Sequence, residues 1–199
     1  LLCIKYRRFR DYTKFKDLLF KYNNLFEKEP LYKFQRMVYL KSTYEEMEDL
    51  ELAISIWNGI PEDYKNIPGL VQAYGDSVAL LFENNYFDIT NESQNIIRKD
   101  AIQKMANAIH MKDYAKFYST LGRLYAAGEE YEKGINYIRM AIDKEDSADK
   151  DYSLRINDYQ SQIIQIKVQK LYKNELDKIN IQKQELQDIK TSVEKSKYD

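Results

Sequence analysis

The side chains best suited to nucleophilic or metal chemistry are scarce in this 199-residue chain, which has one cysteine, Cys3, and one histidine, His110. A structural zinc site takes about four Cys or His ligands, so none can be built from these two. One thiol cannot form an intramolecular disulfide, which fits a reducing compartment. A Cys–His pair would have to join Cys3 to His110. Cys3 lies in Leu1-Leu2-Cys3-Ile4, where a small buried hydrophobe is the simpler reading. His110 ends the stretch from Met105, where a helix C-terminus favours a histidine. No glycine is followed by Lys-Ser or Lys-Thr as in a phosphate-cradling loop, and neither G-x-S-x-G nor HExxH occurs. The 32 carboxylates are scattered among 31 Lys and Arg, as on solvated helix faces. The expectation is a segment with no catalytic residue, no cofactor and no metal, hence not an enzyme.

A formal net charge of -1 lacks the basic excess that nucleic-acid binding requires. The longest apolar run, Val78-Ala79-Leu80-Leu81-Phe82, is far short of the ~20 residues that cross a bilayer. No signal peptide is seen. These features predict a cytoplasmic segment, or the cytosolic part of an anchored protein, without nucleic acid or membrane as partner. The chain begins at Leu with hydrophobic residues already in helical register, and is read as a piece of a longer protein.

Positioning falls to helices. With 6 Gly and 3 Pro the chain has too few turn-formers for an all-β sandwich or barrel. The apolar spacing is helical nearly throughout. A first helix ends near Arg8; a second buries Tyr12, Phe15, Leu18, Leu19, Tyr22 and Leu25. A third starts at Pro30 and buries Phe34, Met37, Leu40 and Tyr44. A fourth, from about Met47 to Asn58, is stopped by Gly59 and Pro61. After a loop over 61–68, a fifth runs from Gly69 to about Glu83. Thr90-Asn91-Glu92 caps a sixth that ends near Met111. A seventh over Tyr114 to Ala127 is stopped by Gly128, and an eighth runs from Tyr131 to about Lys144. A polar joint over 146–151 precedes one very long helix from Tyr152 to about Lys195.

Consecutive helical hairpins call for a repeat test. Residues 115–146 contain Tyr118-x-x-Leu121-Gly122-x-x-Tyr125, then Gly128-x-x-Tyr131-x-x-Gly134, then Ile138-x-x-Ala141. This pattern resembles the tetratricopeptide repeat, whose period is ~34 residues. Gly134 stands where that family usually has Ala, and Lys41 where a preceding unit wants a small residue. At longer spacings, the unit around Leu50 fits through Met37, Leu40, Tyr44, Ala53 and Trp57, the one around Phe87 fits loosely, and the one around Tyr12 is truncated at its start. The resemblance implies an all-α, right-handed α-solenoid over 1–146, its first repeat truncated, followed over 147–199 by a capping helix that continues into a coiled-coil or linker helix. It also implies a peptide-binding groove on the first helices of the pairs, with Gln35, Ser42, Gln72, Lys116, Ser119 and Arg123 on or near it. The family's clamp for a terminal carboxylate is not evident, and Lys116 and Arg123 read more simply as solvated helix surface.

Beyond Tyr172 the long helix carries Tyr172, Leu176, Ile179, Leu186, Ile189 and Val193 near heptad spacing, interrupted at Gln182 and Lys183, with Lys, Glu, Gln and Asp on its flanks. It is expected to pair with another chain, a homodimer included. The function expected is a non-catalytic protein or peptide interaction module, a scaffold or sensor region of a larger bacterial protein. The alternative is a regulatory domain of a signalling enzyme, defence effector or peptide-pheromone receptor whose catalytic or DNA-binding part lies elsewhere.

Overall fold

The computed structural model describes residues 14, 17–19, 21, 22, 29 and 47–195. The first three predicted helices, with Cys3, Gln35 and Ser42, lie essentially outside them. Among the described residues the chain is all-helical, with no strand. The elements are α1 (Met47–Asn58), a 3-10 turn (Glu62–Tyr64), α2 (Pro68–Glu83), α3 (Glu92–Met111), α4 (Ala115–Ala126), α5 (Tyr131–Asp143) and α6 (Tyr152–Lys195). Each α-helix packs on the next in chain order, α2 also packs on α4, and α4 on α6.

Leu50, Ala53, Ile54 and Trp57 recur at helical spacing in α1 and are all buried. Gly59 closes the helix by donating its N–H to the Ser55 and Ile56 carbonyls. Pro68 starts α2 one residue earlier than the apolar spacing alone places it, because a first-turn proline has no N–H to leave unsatisfied. The α2 helix is buried along both flanks, from Leu70 through Phe82. Tyr74 stacks on Trp57 with ring centroids 4.4 Å apart, and its hydroxyl donates to Asp100 Oδ2 at 2.9 Å. Burial, reinforced by that carboxylate, pushes the Tyr74 pKa up. Asn91 caps α3, its side chain accepting from the Gln94 N–H.

Two cores share α4. Phe117, Leu121 and Leu124 join Trp57, Leu70, Leu81 and Met105 in the first. Tyr118 and Ala126 join Ile135, Ile138, Tyr159 and Ile166 in the second. The α4–α5 hairpin closes tightly at two glycines. A Cβ on Gly122 would meet the Gly134 carbonyl oxygen at 2.7 Å, and one on Gly134 would meet the Gly122 carbonyl oxygen at 2.7 Å.

Gly128 is the expected stop of α4. The left-handed residue at that corner is instead Glu129, with φ 63°. Gly128 is small for another reason: a Cβ there would overlap the guanidinium of Arg98. Arg98 is buried and donates from Nη1 to the Leu124 carbonyl at 3.0 Å, so a cation sits against the negative end of α4.

The polar joint is ordered by its own side chains. Asp146 and Asp149 accept from the N–H groups of Ala148 and Asp151, and Arg155 binds Glu145 at 2.6 Å and Asp149 at 3.2 Å.

Candidate interaction groove

Two contacts set the direction of α2 against α4. Thr120 Oγ1 donates to Asp76 Oδ1 at 2.6 Å, and Arg123 pairs with Glu83. Residue numbers rise together along both helices, so α2 and α4 run parallel. The contacts of Ser119 in α4 with Gln162 and of Glu129, just past its end, with Lys173 give the same direction for α4 and α6. The helices α2, α4 and α6 thus run parallel.

Arg123 does not behave as solvated surface. Its side chain is 15% exposed. It grips Glu83 with both arms of its fork, Nε to Oε1 at 2.7 Å and Nη2 to Oε2 at 2.6 Å, and Nη1 reaches Asp76 Oδ1 at 3.4 Å. A bidentate, charge-assisted pair of this kind is geometrically specific. Asp76 and Glu83 lie seven residues apart, two turns along one face of α2, which is why a single guanidinium can reach both.

Ser119 is also buried, and its hydroxyl donates to Gln162 Oε1 at 2.8 Å, tying α4 to α6. Gln72 is half-buried and Lys116 exposed; they precede Asp76 and Thr120 by one turn and so sit at one level of the α2–α4 face. The structure therefore brings Gln72, Lys116, Ser119 and Arg123 onto neighbouring parts of the parallel helices, with Ser119 and Arg123 engaged internally.

The open space lies beyond them. A groove of about 860 Å³ runs between the end of α2 with its following loop, the α4–α5 corner and one face of α6. Five of its walls' side chains are primary amides: Asn84, Asn85, Gln162, Gln165 and Gln169. Asn85 adopts φ 58° and ends α2 by donating its N–H to the Phe82 carbonyl. Phe82, Phe87 and Tyr172 supply apolar surface, and Glu83, Asp88 and Glu129 supply carboxylates. Gln162 is held by Ser119 and Asp158; each of the exposed amides of Asn84, Asn85, Gln165 and Gln169 carries donors and an acceptor on one group, so this wall can satisfy both the N–H and the C=O of a passing main chain. The sequence reading missed these amides, because the loop over 84–91 and the long helix were each judged alone. Their shared signal was a run of Gln at 162, 165 and 169 on one helix face.

Lys173 spans the groove's far edge, binding Glu129 at 3.0 Å and Asp177 at 3.8 Å. Its pKa is raised, first by the hydrogen bond to Glu129. Among the described residues no group of three or more His, Cys, Asp or Glu side chains could hold a metal ion. Nor is any described helix long and apolar enough to cross a membrane. Comparison of the chain with protein-family models, curated proteins and solved structures found no match.

Proposed function

We propose that this chain is a non-catalytic protein-interaction module whose helical hairpins stack as a right-handed solenoid of the tetratricopeptide type, and that its groove docks a protein segment by its main chain. The observation that carries this reading is the groove itself, with the exposed amides of Asn84, Asn85, Gln165 and Gln169 beside the exposed ring of Tyr172. The stacking proposal draws support from the parallel run of α2, α4 and α6 and from the glycine contact inside α4–α5. Arg123 and Ser119 then act as struts that hold the groove wall rather than as ligand contacts. Specificity would come from the apolar side chains and the carboxylates of the rim.

The test is selection of displayed random peptides against the immobilised chain at low surface density. Selected peptides are expected to lose affinity by tenfold or more on Gln165→Ala with Gln169→Ala, two exposed positions where stability should hold. Peptides that bind the double variant equally well, or no selection at all, would end the reading.

A further inference from the structure

The first half of α6 is built into the body; the second half is not accounted for by it. At 44 residues and 1.5 Å per residue, α6 is about 66 Å long. Its described ion pairs to the body end at Lys170 with Glu132 and Lys173 with Glu129. From Tyr172 onward the apolar stripe is open to solvent: Tyr172 is 70% exposed, Leu186 66% and Ile189 59%. An exposed stripe of this size on one helix, continued into the groove by Val168 and Ile164, is a docking surface in want of an occupant.

Its spacing names one. From Tyr172 through Leu176, Ile179, Leu186 and Ile189 to Val193 the steps are four, three, seven, three and four residues. That series reads the same from either end. A two-fold axis passing between Gln182 and Lys183 therefore sets Tyr172 opposite Val193 of a second copy, Leu176 opposite its Ile189, and Ile179 opposite its Leu186. Every apolar residue meets an apolar residue, and the two interrupting polar residues meet each other at the centre. The three- and four-residue steps on either side of that centre are those of a two-helix seam, and the seven-residue step between them is a local break in the heptad. Self-complementarity under a two-fold is the requirement for a closed homodimer interface.

We propose that α6 pairs antiparallel with the same segment of a second copy, and that the far end of the second helix seats in the mouth of the groove. This deepens the interaction-module reading and rests on its groove, the entering helix meeting the mouth by its side chains because its own main chain is paired within the helix. The stripe and the groove are continuous, because Tyr172 and Leu176 belong to both. Whatever covers the first half of the stripe must enter beside Asn85, Phe87 and Tyr131. In an antiparallel pair the entering piece is a bare helix, residues 186–193 of the second copy. A parallel pair would bring the second copy's own 172–176 there, with its whole body attached to the same stretch. The antiparallel arrangement keeps the bodies at opposite ends of the seam.

The test uses the full chain with Cys3→Ser. Sedimentation equilibrium should give a dimer that Leu186→Lys converts to a monomer, while Ile181→Lys, on the opposite face, leaves the mass unchanged. Chains carrying Ile179→Cys mixed with chains carrying Leu186→Cys should cross-link to each other in preference to themselves. Hydrogen exchange of residues 84–89 should speed up on dissociation. A monomer at every concentration overturns the proposal, as does self-cross-linking of the Ile179→Cys chain alone. Unchanged exchange at 84–89 overturns the seating in the groove. Each of these results can occur whether or not peptides are selected by the groove, so failure here is distinct from failure of the broader reading.

Discussion

Replacing Gly134 by alanine sets helix propensity against packing at one atom. In an exposed helix interior the change would stabilise by about 1 kcal/mol, and alanine is also what the repeat resemblance leads one to expect there. In this hairpin the new methyl would lie 2.7 Å from the Gly122 carbonyl oxygen, and 3.2 Å from both Cβ and N of Ala126. Two of those three neighbours are backbone, which cannot swing aside. The α4–α5 pair must separate by several tenths of an ångström, loosening its contact around Ile138. Overpacking of this kind costs about 1–3 kcal/mol, so the propensity gain is outweighed and a net loss of about 1 kcal/mol is expected. For a chain near this length that lowers the thermal midpoint by about 2–4 °C. Gly122→Ala should cost more, since its methyl would meet the Gly134 carbonyl oxygen and Ile138 Cγ1, both at 2.7 Å. Urea unfolding of the full chain, followed by circular dichroism, measures both. A Gly134→Ala chain that is more stable by the full propensity increment would refute the packing argument.

Three further outcomes are expected. Leu121→Ala, at a residue 1% exposed in the first core, should destabilise by about 2–5 kcal/mol; an unchanged thermal midpoint would contradict its placement. Arg123→Ala leaves Glu83 and Asp76 without their shared cation, and should cost about 1–3 kcal/mol. Arg123→Lys should recover only part of that, because an ammonium cannot hold Glu83 by two parallel bonds; equal stability of all three chains by urea titration would remove the strut role. Tyr74 and Tyr159 both have raised pKa values, burial being the main cause in each. Their protonated forms favour the folded state, so this stability is complete below about pH 10, where an unfolded tyrosine ionises, and is lost as pH climbs from there. Ultraviolet titration should show these tyrosinates appearing late and together with unfolding, and early independent ionisation would count against their burial.

Much of the fold was legible because local rules and tertiary packing agree here. The C-terminal end of α1 follows from Gly59 and Pro61, the start of α3 from Asn91, and the length of α6 from the lack of Gly or Pro after residue 151. What stayed hidden was long-range. Arg98 reaches a carbonyl 26 residues away, and Arg123 finds its carboxylates 40 and 47 residues away. A lone basic residue on an amphipathic helix gives no local hint of such a partner, so Arg123 read as surface and Arg98 drew no reading. Gly128 shows the same limit, since a glycine demanded by a neighbour's guanidinium and one demanded by a positive φ are indistinguishable by spacing. The groove's amides stayed hidden as well, because they come from the loop after α2 and from α6 and converge only after folding.

The sharing of α4 between two cores bears on where this chain can be cut. With Leu121 facing one core and Tyr118 the other, the last hairpin has no hydrophobic interior of its own. A chain ending at Gln160 would lose Gln162, Ile163 and Ile166, stripping the outer wall from Tyr118 and Ile138 and loosening the helix on which the first core also leans. A chain ending just past Lys173 would keep that wall and shed the open stripe, with Leu176 from the rim of the groove. In fusion, domain exchange or proteolysis, the indivisible piece therefore extends through Lys173, with the polar joint at 146–151 inside it rather than at its border.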